Sequence, residues 1–327
     1  MIEPLYREHA STLRALAYRM TGSAADADEI AQETFTRALA APAGTVLGRT
    51  WLLAVAANLA RDRLRRRKRA AYVGPWLPEA VETEAEPDSA DPERRYGLRE
   101  SASFAFLLAL EPLTSRQRAV LLLRDVLDLS VEETAAILRM RDGAVRVMHH
   151  RARAALAGYD EQRSVATRER LGMVRGALER LAAAVATGDP TRVEAVLAEQ
   201  ATLHADGAGR FGALRKPLRG GKSIARFAIF GQQRLAGIPS RRSLLENVNG
   251  AAALLVESAP PPGVDVAPRL LLACDVDRSG RISTLYALAT PQKVSRLPRS
   301  EGLPLHEVHD QHQSEGDGPG HRSHTAR

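Results

Sequence analysis

The residues that first suggest recognition chemistry form a polar face on a helix near the N-terminus. Ala27, Ile30 and Phe35 recur at helical spacing and give this helix an apolar stripe for packing. The opposite side therefore projects polar groups, which are Asp26, Asp28, Glu29, Gln32, Glu33 and Arg37. Such a face suits a basic protein partner, although an ordinary solvated helix face has the same composition.

A second set lies on a helix predicted over residues 50–69, which becomes wholly basic in its last two turns. Arginine and lysine on a helix end can follow a phosphate backbone, so the pattern favours nucleic acid over a neutral partner. The polar and aromatic candidates on this helix are Trp51, Asn58, Arg61, Asp62, Arg65 and Arg66. A solvated charge run is the alternative interpretation.

A third set follows two capping boxes, Thr114 with Gln117 and Ser130 with Glu133. The second box opens a helix over residues 131–138, and Asp142 is expected to cap another over residues 143–156 after a short turn. This spacing predicts a helix-turn-helix whose last helix enters the major groove of DNA. Its candidate contacts are Arg141, Arg146, His149, His150, Arg151 and Arg153.

His204 and Asp206 are two residues apart, so on a strand they share one side, the minimum geometry for an acid–base pair. A strand end with a polar turn at Asp206 is the favoured alternative. The single cysteine, Cys274, excludes a disulfide framework and a multi-cysteine zinc site. Histidines at 306, 309 and 312 have a spacing of three that could bind a metal on one face of a helix. They lie in a Gly/Pro-rich tail, where no helix is expected. We therefore predict no catalytic residue, metal or cofactor.

The 327 residues, with a net charge of +7, predict more than one compact unit. A basic block over 49–69 meets an acidic block over 79–93, which marks a unit boundary and a linker. With no signal-peptide pattern and no apolar run of 18 residues, we expect a soluble, cytoplasmic protein without a membrane partner. We define a first unit (1–70), a linker (71–103), a second unit (104–158), a third unit (168–298) and a tail (299–327).

The first and second units are predicted to be all-α. In the third unit, two helical patterns precede strands expected at 201–205, 251–256, 270–276 and 281–289, with a helix over 223–230 between them. Helices followed by an antiparallel sheet predict an α+β cone, so the fold class is multi-domain: two helical domains and then the cone.

The segment DADEIAQETFTR at 26–37 and the segment WLLAVAANLARDRLRR at 51–66 resemble region 2 of extracytoplasmic-function sigma factors of the sigma-70 family. The resemblance implies that the polar face of the first helix binds the β′ clamp helices of core RNA polymerase. It also implies that the helix from Trp51 to Arg66 binds the −10 promoter element and captures unstacked bases.

The second unit resembles sigma region 4, which binds the −35 element. This resemblance rests on Arg118, Arg124, the segment from Glu133 to Leu138 and the segment from Ala144 to Arg153. Where the family has Gly-x-Ser in the turn, this chain has Arg139, Met140 and Arg141. A glycine there permits a positive φ, which arginine adopts at a cost.

The linker segment Trp76-Leu77-Pro78-Glu79 and the third unit resemble the sigma subgroup that carries a fused SnoaL-like domain. The resemblance implies regulatory or pocket residues at Trp76, Leu77, Pro78, His204, Asp206, Arg210, Tyr286, Pro291 and Lys293. A small ligand in the cone is an open possibility.

Three functions follow from these patterns. The leading hypothesis is a promoter-specificity subunit of RNA polymerase that its own third unit regulates. The alternatives are a small-molecule enzyme fused to a DNA-binding module and a stand-alone repressor. The polar face at Asp26–Arg37 argues against the repressor, because a repressor does not need such a face. We further predict that the third unit packs near Trp76, Leu77 and Pro78 and holds the first two units in a compact arrangement.

Overall fold

The structure is a computed structural model that describes residues 2–67, 72–83, 96–97, 100–163, 167–211 and 214–299. The predictions for most of the acidic block and for the tail beyond residue 299, with its three histidines, lie outside the described residues.

The first unit consists of α1 (Ile2–Thr21), α2 (Ala24–Leu39) and α3 (Arg49–Arg67). Gly22 has a φ of +68° and ends α1, while the Ser23 side chain accepts a hydrogen bond from the Asp26 backbone N–H at the start of α2. The left-handed glycine and the serine side chain therefore end α1 and cap α2.

The second unit contains α4 (Phe104–Ala109), α5 (Ser115–Leu121), α6 (Val131–Leu138), α7 (Asp142–Ala155) and α8 (Ala157–Gln162). Both predicted capping boxes are present. The expected cap at Asp142 is wrong, because α7 begins at that residue and Arg141 precedes it without a side-chain bond. Arg139 takes the left-handed conformation, with a φ of +51°, so the turn keeps the backbone that a glycine would favour.

The third unit is an α+β cone, as predicted. Its helices are α9 (Arg168–Ala186), α10 (Pro190–Val196), α11 (Gly221–Arg234) and α12 (Pro291–Val294). Its strands are β1 (Leu197–Asp206), β2 (Leu218–Arg219), β3 (Ser240–Val248), β4 (Ala251–Ser258), β5 (Arg269–Val276) and β6 (Ile282–Leu288). They form one sheet in the order β2-β1-β6-β5-β4-β3, in which β1 and β6 are parallel and the other neighbours antiparallel. The sequence did not predict β2 or β3, which are the two edge strands.

The central strands of this sheet are buried on both faces. On one face, Leu203, Leu254 and Leu285 belong to a core shared with α9 and α11. On the other face, Leu271 and Leu288 belong to a core shared with residues outside the third unit, namely Leu77 and Ala80 of the linker and Phe104 of α4. The linker and the second unit therefore cover a sheet face that would otherwise expose apolar side chains to water.

Candidate functional site

The predicted polymerase-binding face on α2 is exposed only in part, because arginines bind most of its carboxylates. Arg37 lies 2.7 Å from Glu33, and Arg63 of α3 contacts both Asp26 and Glu29. Burial raises the pKa of Asp26 above its ordinary value, against the opposing effect of Arg63. Gln32 is exposed. The face therefore has fewer free carboxylates than the sequence suggests.

Asp28 on this face has partners from two parts of the chain. Arg14 of α1 lies 2.7 Å from its carboxylate, and Arg296 lies 2.5 Å from it. Arg296 follows α12, so the end of the third unit reaches the face of the first unit that the sequence assigns to a protein partner.

The candidate −10 residues on α3 differ in accessibility. Asn58, Arg65 and Arg66 are exposed, whereas Trp51 packs against the core of the first unit. Asp62 pairs with Arg65. Arg61 is buried in this arrangement, so its contact with DNA stays a prediction.

Arg61 is only 9% exposed because α3 packs against α5 and α6. It donates to the Asn58 side chain, and its Nε has no hydrogen-bond partner among the described residues. Burial lowers its pKa, and the nearby Arg116 and Arg65 lower it further. A buried cation so poorly compensated destabilises the contact that covers it.

The candidate −35 residues also fall into two groups. Arg141, Arg146, His150 and Arg151 are exposed, and Arg146 lies 3.7 Å from Glu132. His149 was expected to be exposed on the DNA side, and this is wrong, because its side chain is 16% exposed and is held by Asp125. The Arg153 side chain also pairs with Asp125 but remains 42% exposed.

Asp125 is a buried carboxylate on the π-helical turn Leu122–Val126 that follows α5. His149 Nε2 and Arg153 each lie 2.8 Å from its Oδ1. Burial opposes ionisation of Asp125, but the hydrogen bonds from His149 and Arg153 outweigh it and bring its pKa below the ordinary value. This cluster fixes the rotation of α7 on the second unit.

The linker and the third unit meet at a buried ion pair. The Asp206 carboxylate lies 2.7 Å from the Lys293 ammonium and accepts hydrogen bonds from the Tyr72 hydroxyl at 2.5 Å and the Leu77 N–H at 2.7 Å. Lys293 also donates to the Leu77 carbonyl oxygen at 2.7 Å. Burial lowers the pKa of Lys293, and Asp206 acts in the opposite direction. The pair therefore binds both backbone polar groups of Leu77, and the predicted contact with the linker is present.

Trp76 lies between the first and third units. The Arg67 guanidinium lies 3.9 Å from the centre of its ring, and the Lys293 ammonium lies 4.9 Å from it. Its ring edge packs against Gly22, where a Cβ would come within 2.4 Å of the indole. A side chain larger than hydrogen is therefore excluded at Gly22 while Trp76 occupies this place.

Glu79 attaches the linker to the start of α2. Its carboxylate accepts hydrogen bonds from the Ser23 hydroxyl and the Ala24 N–H, both at 2.7 Å. A carboxylate at a helix N-terminus satisfies free N–H groups and opposes the helix dipole. The linker thereby holds the helix that carries the polar face.

Asn249, in the turn between β3 and β4, forms hydrogen bonds with the first unit and with the linker. Its side-chain N–H donates to the Tyr18 hydroxyl of α1 at 2.6 Å and to the Ala102 carbonyl oxygen at 2.9 Å. Its side-chain oxygen accepts from the Val81 N–H of the linker at 3.1 Å. The sequence did not single out this residue as a site. The continuous apolar run over 251–256, which predicts a strand buried on both faces, was the available signal that a partner surface lies beside it.

His204 and Tyr286 lie on the sheet face that the second unit covers, on the opposite side from the interior of the cone. Tyr286 stacks on Phe104 with ring centres 5.5 Å apart and on His204 at 5.9 Å, and its hydroxyl donates to Asp275 at 2.6 Å. No hydrogen bond joins His204 to Asp206 in the described chain. Burial and the nearby Arg219 lower the pKa of His204. His204 and Tyr286 therefore belong to the interface between the second and third units, and His204 does not form an acid–base pair with Asp206.

A separate cavity of about 220 Å³ lies inside the cone, between the sheet and α9 and α11. Its walls include Leu181, Leu203, Phe227 and Leu272, and Arg242 lies among its few polar residues. Of the predicted pocket residues, only Asp206 borders it, and the Asp206 carboxylate binds the linker. Arg210 is exposed beside Phe211, and Pro291 begins α12.

The first and second units also contact each other directly. Arg118 of α5 is buried and donates to the carbonyl oxygens of Met20 at 2.8 Å and Leu110 at 2.7 Å. Glu111 accepts from Arg118 and from Arg67 of α3, both at 2.8 Å. Burial raises the pKa of Glu111, but the two arginines outweigh it and lower the pKa overall.

Within the described ranges, no group of three or more His, Cys, Asp or Glu side chains is placed to hold a metal ion. None of the helices described is both long and apolar enough to cross a membrane.

Residues 5–70 match the family model of sigma-70 region 2, and residues 103–156 match that of sigma-70 region 4. Over 301 residues the chain is 32% identical to the ECF RNA polymerase sigma factor SigJ of Mycobacterium tuberculosis, covering 90% of this chain and 93% of that protein. It is 41% identical over 174 residues to SigG of the same organism, covering 47% of this chain and 46% of that one. The crystal structure of M. tuberculosis SigJ matches with a TM-score of 0.66 and 28% identity, covering 89% of this chain and 99% of that chain.

Proposed function

This chain belongs to the extracytoplasmic-function sigma factors of the sigma-70 family, and from that starting point we propose that its third unit controls when the first two units engage polymerase and promoter. Members of the family bind core RNA polymerase and promoter DNA and direct the initiation of transcription, and they are not enzymes. The regulation by the third unit is the part that we propose.

In this proposal Asp28, Glu29 and Glu33 of the α2 face bind the β′ clamp helices of the polymerase core. Asn58, Arg65 and Arg66 of α3 contact the −10 element, and α7 enters the major groove at the −35 element. Arg65 and Arg66 meet phosphates, which favours binding without selecting a sequence.

The single observation that carries the proposed regulation is the pairing of Asp206 and Lys293 around the backbone of Leu77. This pair ties the linker to the third unit, while Glu79 ties the same linker to α2. Arg296 forms an ion pair with Asp28 on the α2 face that is proposed to bind polymerase. The packing of α3 against α5 and α6 covers Arg61. The closed arrangement thus competes with both partners, and binding of polymerase requires that it open.

In vitro transcription tests this proposal with the full chain, a chain ending at Gly158 and a chain ending at Pro291. The last of these retains most of the third unit but lacks Lys293 and Arg296. Both truncations should raise promoter-directed transcription above that of the full chain. A chain ending at Arg299, which keeps every described contact, is the control and should behave as the full chain does. Equal transcription and equal core affinity in all four would refute the regulatory role.

The cavity in the cone supports a second element of the proposal, a small ligand that shifts the equilibrium. A cavity of about 220 Å³ with mostly apolar walls accommodates a small apolar molecule. Such a ligand alters transcription only if it binds the open and closed arrangements with different affinity. Titration of the full chain with small apolar probes, followed by transcription at saturating probe, tests for this coupling.

A further inference from the structure

The outward surface of α7 has an apolar side chain at its centre. Val147 is 51% exposed, and Gly143, His150 and Ala154 are exposed along the same line. On a helix with 3.6 residues per turn, these four positions form one stripe. Val145 and Ala152, which are fully buried, lie on the opposite side. Val147 therefore occupies the middle of the face that α7 presents to solvent.

A single exposed valine carries no meaning by itself, since isolated apolar residues are common on protein surfaces. Here the neighbouring residues indicate that Val147 is part of a binding surface. Arg146 and Arg151 flank the stripe on either side and are exposed, while Gly143 and Ala154 are small enough to let another surface approach closely. His149 and Arg153 are drawn to one side by Asp125 and do not crowd the stripe.

The position of Val147 along the helix matters as well. It is the sixth residue of α7, which begins at Asp142. In a helix-turn-helix, the N-terminal part of the second helix contacts base edges in the major groove. The only apolar group that a base pair presents in that groove is the C5-methyl group of thymine.

We infer that Val147 is a specificity-determining residue that packs against the C5-methyl group of one thymine in the −35 element. Arg146 and Arg151 contact guanine edges or phosphates on either side of that thymine. This inference rests on the proposed function of α7, since it requires that α7 enter the major groove.

The test uses the full chain assembled with core RNA polymerase. The preferred −35 element is first selected from a library randomised upstream of a fixed −10 element. Each thymine of the selected element is then replaced by deoxyuridine, which removes the methyl group and leaves base pairing unchanged. One such replacement should weaken promoter binding about fourfold, the effect of one buried methyl group.

Val147→Ala should weaken binding to the thymine promoter by a similar factor and abolish the difference between thymine and deoxyuridine at that position. Alanine is a good helix former at a half-exposed site, so the variant keeps its fold, which circular dichroism checks. Val264→Ala removes the same atoms from an exposed valine of the third unit and should leave the discrimination intact.

Four outcomes would overturn the inference. The first is that the selected element contains no thymine, and the second is that no deoxyuridine replacement affects binding. The third is that the same replacement affects the Val147→Ala holoenzyme equally, and the fourth is that no sequence is enriched upstream at all. The last outcome would also refute the proposed role of α7, whereas the first three leave that role standing.

Discussion

Replacing Lys293 by methionine removes one charge from the ion pair that ties the linker to the third unit. The Asp206 side chain is fully buried and that of Lys293 is 11% exposed. Removing one partner of a buried pair costs about 3–5 kcal/mol, because the other charge is left uncompensated. Tyr72 and Leu77 still donate to Asp206, so we expect the lower end of that range.

In the proposed mechanism this cost falls on the closed arrangement alone, because that is the arrangement in which the linker covers the pair. A loss of about 3 kcal/mol lowers the ratio of closed to open molecules about a hundredfold. The apparent affinity for core polymerase should rise by up to the same factor, since it scales with the fraction of binding-competent molecules. Fluorescence anisotropy with labelled core polymerase measures this affinity.

Two further variants give the experiment its controls. Lys222→Met removes an exposed lysine from α11 and should leave the core affinity unchanged. Combining Lys293→Met with Asp206→Asn removes both charges while the asparagine oxygen still accepts from the Leu77 N–H. The double variant should therefore recover part of the closure. An unchanged affinity for Lys293→Met, or an equal rise for Lys222→Met, would refute the reasoning.

Three other predictions follow from the same contacts. Charge reversal of the three α2 carboxylates should abolish co-purification with core polymerase without unfolding the first unit, and unchanged co-purification would count against it. These carboxylates are Asp28, Glu29 and Glu33. Because the folded pKa of Asp125 is low, its ionised carboxylate stabilises the fold at any pH above the unfolded pKa of about 3.9. This stabilisation is lost as the pH falls through the lower pKa of the folded state. Thermal unfolding from pH 7 to pH 3 should therefore show a steeper acid loss for the wild type than for Asp125→Asn. Replacing Arg65 and Arg66 by alanine should weaken binding to all promoters and reduce its salt dependence, whereas Arg146→Ala should relax one −35 position at a cost of about 1–3 kcal/mol. Identical profiles across a promoter library would show that these roles are misassigned.

The helices and their caps could be predicted because their signals are local. Gly22 and Ser23 determine the junction of α1 and α2 through their own backbone preferences, and Thr114 and Ser130 each lie three residues from their capping partners. The strand β3 was missed because it is an edge strand in which the consecutive residues Arg241 and Arg242 are exposed and interrupt the apolar alternation.

The partners of the candidate site residues could not be predicted, because each depends on distant parts of the chain. His149 contacts a carboxylate 24 positions earlier, and Asn249 contacts a hydroxyl 231 positions away. Periodicity places His149 on a polar side of α7 but cannot show that Asp125 lies beside it. In the same way, the spacing of His204 and Asp206 predicts a shared side without revealing which units cover that side.

The distance between the first and second units, measured in the presence and absence of the third, tests the proposed regulation most directly. Ala40→Cys and Ala155→Cys place thiols for fluorescent dyes on exposed sites of the two units. Cys274 is buried and burial raises the pKa of its thiol, so it stays unlabelled. Single-molecule energy transfer should show one short distance for the full chain and an added population at long distance for the chain ending at Gly158. Identical distance distributions in the two chains would contradict a role for the third unit in holding the first two together.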